Sequence, residues 1–309
     1  MQQVQTSWFM HKDQSPIAQD LSTELNISPI IAQLLVNRGI HDLAQARLFL
    51  YGSLDDLHSP HELGGMEEAV TRIRQAMQQG EKIAIYGDYD VDGVCSVSIL
   101  LDCFQRLSYP VNYYIPDRFE EGYGLNATAI QTLADLGYTL LITVDCGISS
   151  VAECELARDY GMEVIITDHH IPPPRQPEAI VINPKNDDIE AMYNLAGVGV
   201  AFKLACALLE DDLPDYWQQW LDLVALATVA DVVPLQGENR ILVKYGLQAL
   251  ANSQRPGIQA LLELTGLSGQ ILKTWHIGFV LGPRINAAGR LDTADHSVDL
   301  LSTRDTKQA

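Results

Sequence analysis

Positive charge is scarce in this sequence: Lys and Arg number 20 against 40 Asp and Glu, a formal net charge of −20 over 309 residues. A surface that grips nucleic acid draws its affinity from Lys and Arg, so the chain as a whole is not a basic DNA-coating protein. Its acidity suits a small-molecule enzyme with a solvating surface. It equally suits a nucleic-acid enzyme whose positive charge comes from bound divalent cations and from a further basic domain. Cysteine is also sparse. Cys95, Cys103, Cys146, Cys154 and Cys206 are odd in number and scattered, mostly in apolar runs, which argues against a disulfide framework or a zinc ribbon and for core thiols. No apolar run reaches the length of a bilayer span, and the opening MQQVQTSWFMHKDQSP lacks a basic segment followed by an apolar one. A cytosolic protein without membrane association is the expectation. Repeats and low-complexity tracts are absent too. With 47% apolar and 19% charged residues the composition is that of an ordered globular chain.

What is present is a run of alternating elements. Helical spacing over 27–50, with Asn26 or Ser28 as cap and Gly39 as a stop, predicts two short helices. Another helix follows over Met66–Gln79, with Ala69, Val70, Ile73 and Met77 on one face and Gly80 at its end. Five short apolar runs come next, Ile83–Tyr86, Val111–Ile115, Leu140–Val144, Val164–Thr167 and Ala179–Ile182. Helices are expected near Ser96–Leu107, Ala127–Leu136, Ser149–Tyr160, Gly199–Leu209 and Tyr216–Ala230, most of them between these runs. That alternation predicts an α/β fold: a doubly wound, mainly parallel five-stranded sheet with helices on both faces. After Val233-Pro234 the pattern turns helical, over Arg240–Leu250 and Ile258–Thr265, and a polar stretch GPRINAAGRLD follows at 282–292. The expected division is an N-terminal helical extension (1–80), a catalytic α/β domain (81–235) and a helical continuation (236–309). The closing LLSTRDTKQA has no terminating signal and reads as a cut in a longer protein.

Four segments carry chemistry. The strand KIAIY leads into Gly87-Asp88-Tyr89-Asp90-Val91-Asp92-Gly93, where three carboxylates at alternate positions repel one another and call for a hard cation with oxygen ligands. The distal Glu of a helix–loop–helix calcium site is lacking, and an exposed acidic turn is the alternative. Asp145, in LLITVDCG, ends a second strand, where a helix cap is an equally ordinary use for it. Asp168-His169-His170 ends a third; one imidazole can ligate a metal while the other faces a phosphate, and a satisfied core histidine is the alternative for either. Asp231 sits in the otherwise apolar ALATVADVVP, where burying a lone carboxylate requires a partner. Together the four can converge on a pair of cations.

In their order, GDYDVDG, VDCG, DHH and ADVVP resemble the motifs of the DHH phosphoesterase superfamily. The flanks IYGDYDVDGVCS, YYIPDRFEEGYGLN and GPRINAAGRL, with SPIIAQLLVNRGI and DLHSP near the start, are similar to its single-strand-specific 5′→3′ DNA exonucleases. The resemblance implies two Mn²⁺ or Mg²⁺ ions. Asp90 and Asp145 would hold one, with Asp88 near it; Asp92, Asp145, His169 and Asp231 would hold the other, Asp145 bridging. It implies that metal-activated water attacks the terminal phosphodiester. His170 would contact the scissile phosphate and Arg118 would be a second phosphate contact, unless it pairs with Glu120 or Glu121. Arg284, Asn286 and Arg290 would contact the strand backbone, with helix capping the rival role for Asn286. The implied setting is release of mononucleotides from single-stranded DNA in repair and recombination. A single-strand-binding protein or a helicase would be the partner, and the enzyme would be monomeric. Two alternatives stay open: a superfamily member acting on short oligoribonucleotides, cyclic dinucleotides or phosphoadenosine phosphate, and a replication scaffold that does not cut. Full-length exonucleases of this kind continue into a second domain and usually an oligonucleotide-binding barrel. The 309 residues are therefore expected to bind ions yet to degrade long strands poorly.

Overall fold

The structure is a computed structural model describing residues 15–309 except Pro214 and Asp292, so the opening 1–14 of the expected extension lies outside the described residues. The chain divides into two compact units, 1–56 and 57–309. In the first, α1 (Ser15–Leu25), α2 (Pro29–Val36) and α3 (Leu43–Tyr51) close around Leu21, Leu25, Ala32, Leu35, Ile40 and Ala46. The Ser28 side chain caps α2 by accepting the Ile31 N–H, and Asp42 caps α3 by accepting the Gln45 N–H. Gly39 takes φ +82° between them, which a residue with a Cβ adopts only at a cost.

The second unit is built on a sheet. Helix α4 (Met66–Gln79) precedes β1 (Ile83–Gly87), α5 (Val91–Arg106), β2 (Asn112–Tyr114), α6 (Ala127–Asp135), β3 (Leu140–Val144), α7 (Val151–Asp159), β4 (Glu163–Thr167) and β5 (Ile180–Ile182). The five strands pair in the order β2-β1-β3-β4-β5, every pair parallel, as their near-continuous apolar runs require. Ala84, Tyr86, Leu141, Val164 and Ile166 point to α6 and α7, packing on Ala129, Ile130, Leu133, Cys154 and Ala157. Period-two alternation sends Ile85, Ile142 and Ile165 to the other face, where α5 and then α8 (Gly197–Leu209) lie. All-helical structure follows: α9 (Leu221–Ala230), α10 (Gly237–Ala251), α11 (Pro256–Leu264), the single turn α12 (Thr274–His276), a π-helical turn (Ile277–Leu281), α13 (Gly282–Leu291) and α14 (Asp295–Ser302).

Two expectations are corrected. Helix α5 begins at Val91, not Ser96, because Asp90 caps it and brings Asp92 into its first turn. Helix α4 packs on β5 and α8 inside the second unit, and Ala76 rather than Met77 completes its buried face. Residues 282–291 form helix α13.

Helix α8 is anchored away from its N-terminus by a buried ion pair. Lys203 Nζ lies 2.8 Å from Glu238 Oε2, both side chains being nearly inaccessible, and donates to the His58 carbonyl at 2.6 Å. Glu238 Oε1 in turn accepts the His58 N–H at 2.6 Å. Replacing Lys203→Met strands the Glu238 charge, and the expected loss is about 3–5 kcal/mol of unfolding free energy, read from urea titration. A loss near zero would mean that the Lys203–Glu238 pair contributes nothing net to stability.

Candidate metal centre

In an open parallel sheet the strand order reverses at one place, and the crevice beyond the carboxyl ends there is free of crossing connections. Here β1 and β3 flank that reversal, and the residues directly after β1, β3 and β4 are Asp88, Asp145 and Asp168. Asp90 Oδ1 accepts the N–H groups of Asp92 at 2.8 Å and Gly93 at 3.2 Å, turning the chain from the crevice into α5. Gly93 is required at this turn, since a Cβ there would lie 2.3 Å from the Asp88 carbonyl oxygen. Asp92 is buried and clamped from the opposite side: its two carboxylate oxygens accept the N–H groups of Gly197 and Val198, each at 2.7 Å. These are the first amides of α8, whose dipole favours a negative charge. A Cβ on Gly197 would come within 2.6 Å of Asp145 Oδ1. Asp145 itself takes φ +59°, a left-handed conformation uncommon for a residue with a side chain and tolerated best by Asp and Asn.

The two histidines are fixed in different ways. Burial, reinforced by the neighbouring His170, lowers the pKa of His169 to about 4, so the imidazole is neutral. The ring is hydrogen-bonded to the backbone of Leu195, and Nε2 faces 3.1 Å to Asp145 Oδ1, 3.7 Å to Asp231 Oδ2 and 3.8 Å to Asp92 Oδ2. His170 directs Nδ1 to Asp168 Oδ1 at 2.7 Å, and this hydrogen bond raises its pKa despite partial burial. Asp168 also accepts the N–H groups of Ile148, His169 and His170; burial opposes its ionisation, but the bonds from His170 and these amides leave its pKa lowered. The Tyr123 hydroxyl lies 3.3 Å from the Asp145 carbonyl oxygen and 3.4 Å from the His170 ring nitrogens.

Ligand atoms of Asp88, Asp90 and Asp145 fall within 4.8 Å of one another, as do those of Asp92, His169 and Asp231, and those of Asp145, His169 and His170. Burial first, and then the charge of Asp90, raises Asp88 to about 7; the same two causes raise Asp231 to about 6. Asp92 and Asp145 are pushed well above the carboxylate range, by burial and then by Asp231 and Asp92 respectively. Asp88 Oδ1, Asp145 Oδ1 and His169 Nε2 are buried and have no hydrogen-bond partner. An orphaned buried polar atom costs about 1–3 kcal/mol, more when charged, so three in one crevice, with Asp145 grouped with Asp88 on one side and with His169 on the other, fit cation binding and not a finished hydrogen-bond network. The donor set, carboxylates with one neutral imidazole, suits Mn²⁺ or Mg²⁺.

The remaining expected site residues are less concentrated. Arg118 is exposed and lies over the Tyr89 ring at 4.7 Å; Glu121 is engaged elsewhere, accepting the Tyr114 hydroxyl and the Asp117 N–H, each at 2.7 Å. Asn286 Oδ1 accepts the Val91 N–H at 3.1 Å and so caps α5. Arg284 and Arg290 are exposed on α13, Arg284 donating to the Val280 carbonyl at 2.7 Å. Sequence reasoning passed over Asp168 as an orienting group, Tyr123, and the Gly197 and Val198 amides. The glycine spacing in LAGVGVA was the available sign of a close approach.

The "DHH family, N-terminal domain" model matches residues 82–228, and the chain belongs to the DHH family. Within it, the chain is 45% identical over 98% of its length to the single-stranded-DNA-specific exonuclease RecJ of Bacillus subtilis and 41% identical over 91% to that of Escherichia coli. It spans 38% and 50% of those proteins. A crystal structure of exonuclease RecJ bound to manganese superposes with a TM-score of 0.74 at 39% identity, covering 80% of this chain and 63% of that one. RecJ of Thermus thermophilus in complex with Mn²⁺ gives 0.79 at 33% identity, over 95% of this chain and 42% of that one.

Because folding raises the pKa of Asp88 to about 7 and of Asp231 to about 6 from 3.8, these groups favour the folded metal-free protein below 3.8, and that contribution is lost as pH climbs through 6 and 7. Divalent ions take the deprotonated carboxylates, so their affinity rises over the same interval. The expected result in a thermal melt is that Mn²⁺ raises the midpoint little near about pH 5 and substantially near about pH 8. A pH-independent increment would place the ions elsewhere.

Proposed function

We propose that this chain carries the catalytic centre of a two-metal hydrolase that releases mononucleotides from the 5′ end of single-stranded DNA. The observation that carries the reading is the convergence of three orphaned buried ligand atoms, on Asp88, Asp145 and His169, at the β1/β3 crevice. Similarity to proteins named single-stranded-DNA-specific exonuclease supports the substrate. Asp88, Asp90 and Asp145 would hold one ion and Asp92, Asp145, His169 and Asp231 the other. Bound Mn²⁺ or Mg²⁺ supplies an acidified water as nucleophile and offsets charge on the phosphate.

The chain's own groups do the rest. His169, neutral through burial, offers a lone pair at Nε2. Asp168 holds the His170 ring and raises its pKa, which favours a ring that donates to the scissile phosphate. Arg118, stacked on Tyr89 beside Asp88, adds a planar guanidinium for the terminal phosphate. Arg284, Asn286 and Arg290 contact the strand backbone, Asn286 also capping α5. A single-strand-binding protein or a helicase delivers the strand in the cytoplasm, and the enzyme acts as a monomer.

The test is Mn²⁺-dependent release from 5′- and 3′-labelled single strands by the wild-type chain and by Asp145→Ala/His169→Ala. The 5′ label is expected first, as mononucleotide, and the variant is expected to be slower by at least roughly a hundredfold, several kcal/mol of lost transition-state stabilisation. Earlier release of the 3′ label would overturn the polarity, and an unchanged rate in the variant would overturn the centre. In Asp168→Asn, with His170 unheld, activity is expected to fall about 10–100-fold while the fold persists by circular dichroism.

A further inference from the structure

One segment departs from the charge of the rest. From Leu264 to Leu291 the sequence contains no aspartate or glutamate, in a chain that has 40 of them, and it carries Lys273, Arg284 and Arg290, all exposed. The same segment holds two large aromatic rings in the open. Trp275 is 58% and Phe279 71% exposed, and the two are stacked on each other with centroids 5.8 Å apart and planes 26° apart. Their position is built and not incidental. They lie on α12 and the π-helical turn Ile277–Leu281, a rare conformation that shifts side chains off the α-helical stripe and is frequent at functional sites. Ile277, Leu281 and Ile285 take the buried face, leaving Trp275 and Phe279 outward.

This turn is tied to the metal centre at two points. Where it passes into α13, Gly282 approaches Ala230 so closely that a Cβ would sit 3.4 Å from the Ala230 Cβ, and the next residue is Asp231. Farther along α13, Asn286 caps α5 at Val91, and Gly289 leaves only 3.2 Å between a Cβ and the Tyr89 carbonyl oxygen. The aromatic pair thus rides on the element that braces both the first and the fourth metal-ligating segments.

We infer that Trp275 and Phe279 form a stacking platform for the bases of a single strand, with Lys273, Arg284 and Arg290 of the same segment for the phosphates. Exposed rings with cations along the same stretch of chain are the chemistry that holds single-stranded nucleic acid without reading its sequence, since every base has a π-face. A protein partner would be met as well by apolar area alone. The absence of acidic groups over the whole segment, against a net charge of −20, selects a polyanion. The inference rests on the proposed function, because it supplies the substrate contacts of that same site.

The test compares binding of a 5′-fluorescein oligodeoxythymidine and of its abasic analogue, by anisotropy without metal and again with Ca²⁺, to wild type, Trp275→Ala and Phe279→Ala. Each substitution is expected to weaken thymidine-strand binding roughly tenfold. It should leave abasic-strand binding unchanged, and wild type should prefer the thymidine strand. Equal losses on both strands, no loss on either, or a wild type that does not distinguish them would overturn the platform. So would concentration-dependent self-association abolished by the substitutions with DNA affinity intact, which would make the face a contact between copies. If any of these occurs while the wild-type chain still releases 5′ nucleotides with Mn²⁺, only the platform fails. If no nucleotide is released and neither strand is bound, the hydrolase reading fails with it.

Discussion

Mutual repulsion among carboxylates at the β1/β3 crevice is the constraint around which the second unit is arranged. Asp88, Asp90, Asp92, Asp145 and Asp231 come close enough for burial and one another's charge to hold four of them above the ordinary carboxylate range. A chain that merely tolerated such a cluster would let the side chains turn to solvent. This one prevents it with backbone devices: the α8 amides on Asp92, the Asp90 cap on α5, the absent side chain of Gly197 against Asp145. Each removes a route by which the charges could separate, so the repulsion is relieved either by protons, as the raised pKa values record, or by a cation.

Backbone strain falls in the same places. Asp145 is left-handed at φ +59°, and Val232, next to Asp231, takes φ +64°, which a β-branched residue adopts only under constraint from its surroundings. Val232 is 84% exposed, so burial of its side chain does not compensate. What the conformation achieves is termination of α9 at Ala230, which leaves Asp231 as its C-cap facing His169. Two of the groups that converge on His169 Nε2 therefore sit at or beside a strained residue.

Much of this was legible in the sequence, for identifiable reasons. Parallel strands buried on both faces read as continuous apolar runs, so β1, β3 and β4 could be located from IAIYG, LLITV and EVIIT, and a polar residue directly after each run marks a strand's carboxyl end. The start of α5 was not legible, because Asp90, Asp92 and Gly93 are poor helix formers, and the local signal reads as a loop until the cap from Asp90 and the Asn286 side chain are in place. The clamp on Asp92 was hidden for a different reason: it is made by amides, and Gly197-Val198 carries no side chain that advertises the role. Asn286 was open to both a strand-contact and a capping reading because a polar, glycine-containing stretch looks alike whether it meets a ligand or another backbone.

The segregation of charge resolves how so acidic a chain can serve a polyanion. Five carboxylates gather where a cation could neutralise them, and none of the chain's 40 acidic residues falls in the 264–291 segment that braces them. On the proposed reading the phosphodiester meets positive charge twice, at the rings and cations of α12–α13 and then at the ions. The helix carrying the first encounter is the one whose Asn286 and Gly289 position the loop for the second. A strand held on the outer face of α13 bears on the same rigid element that sets the spacing of Asp88 and Asp90, which makes substrate grip and ligand geometry mechanically one problem.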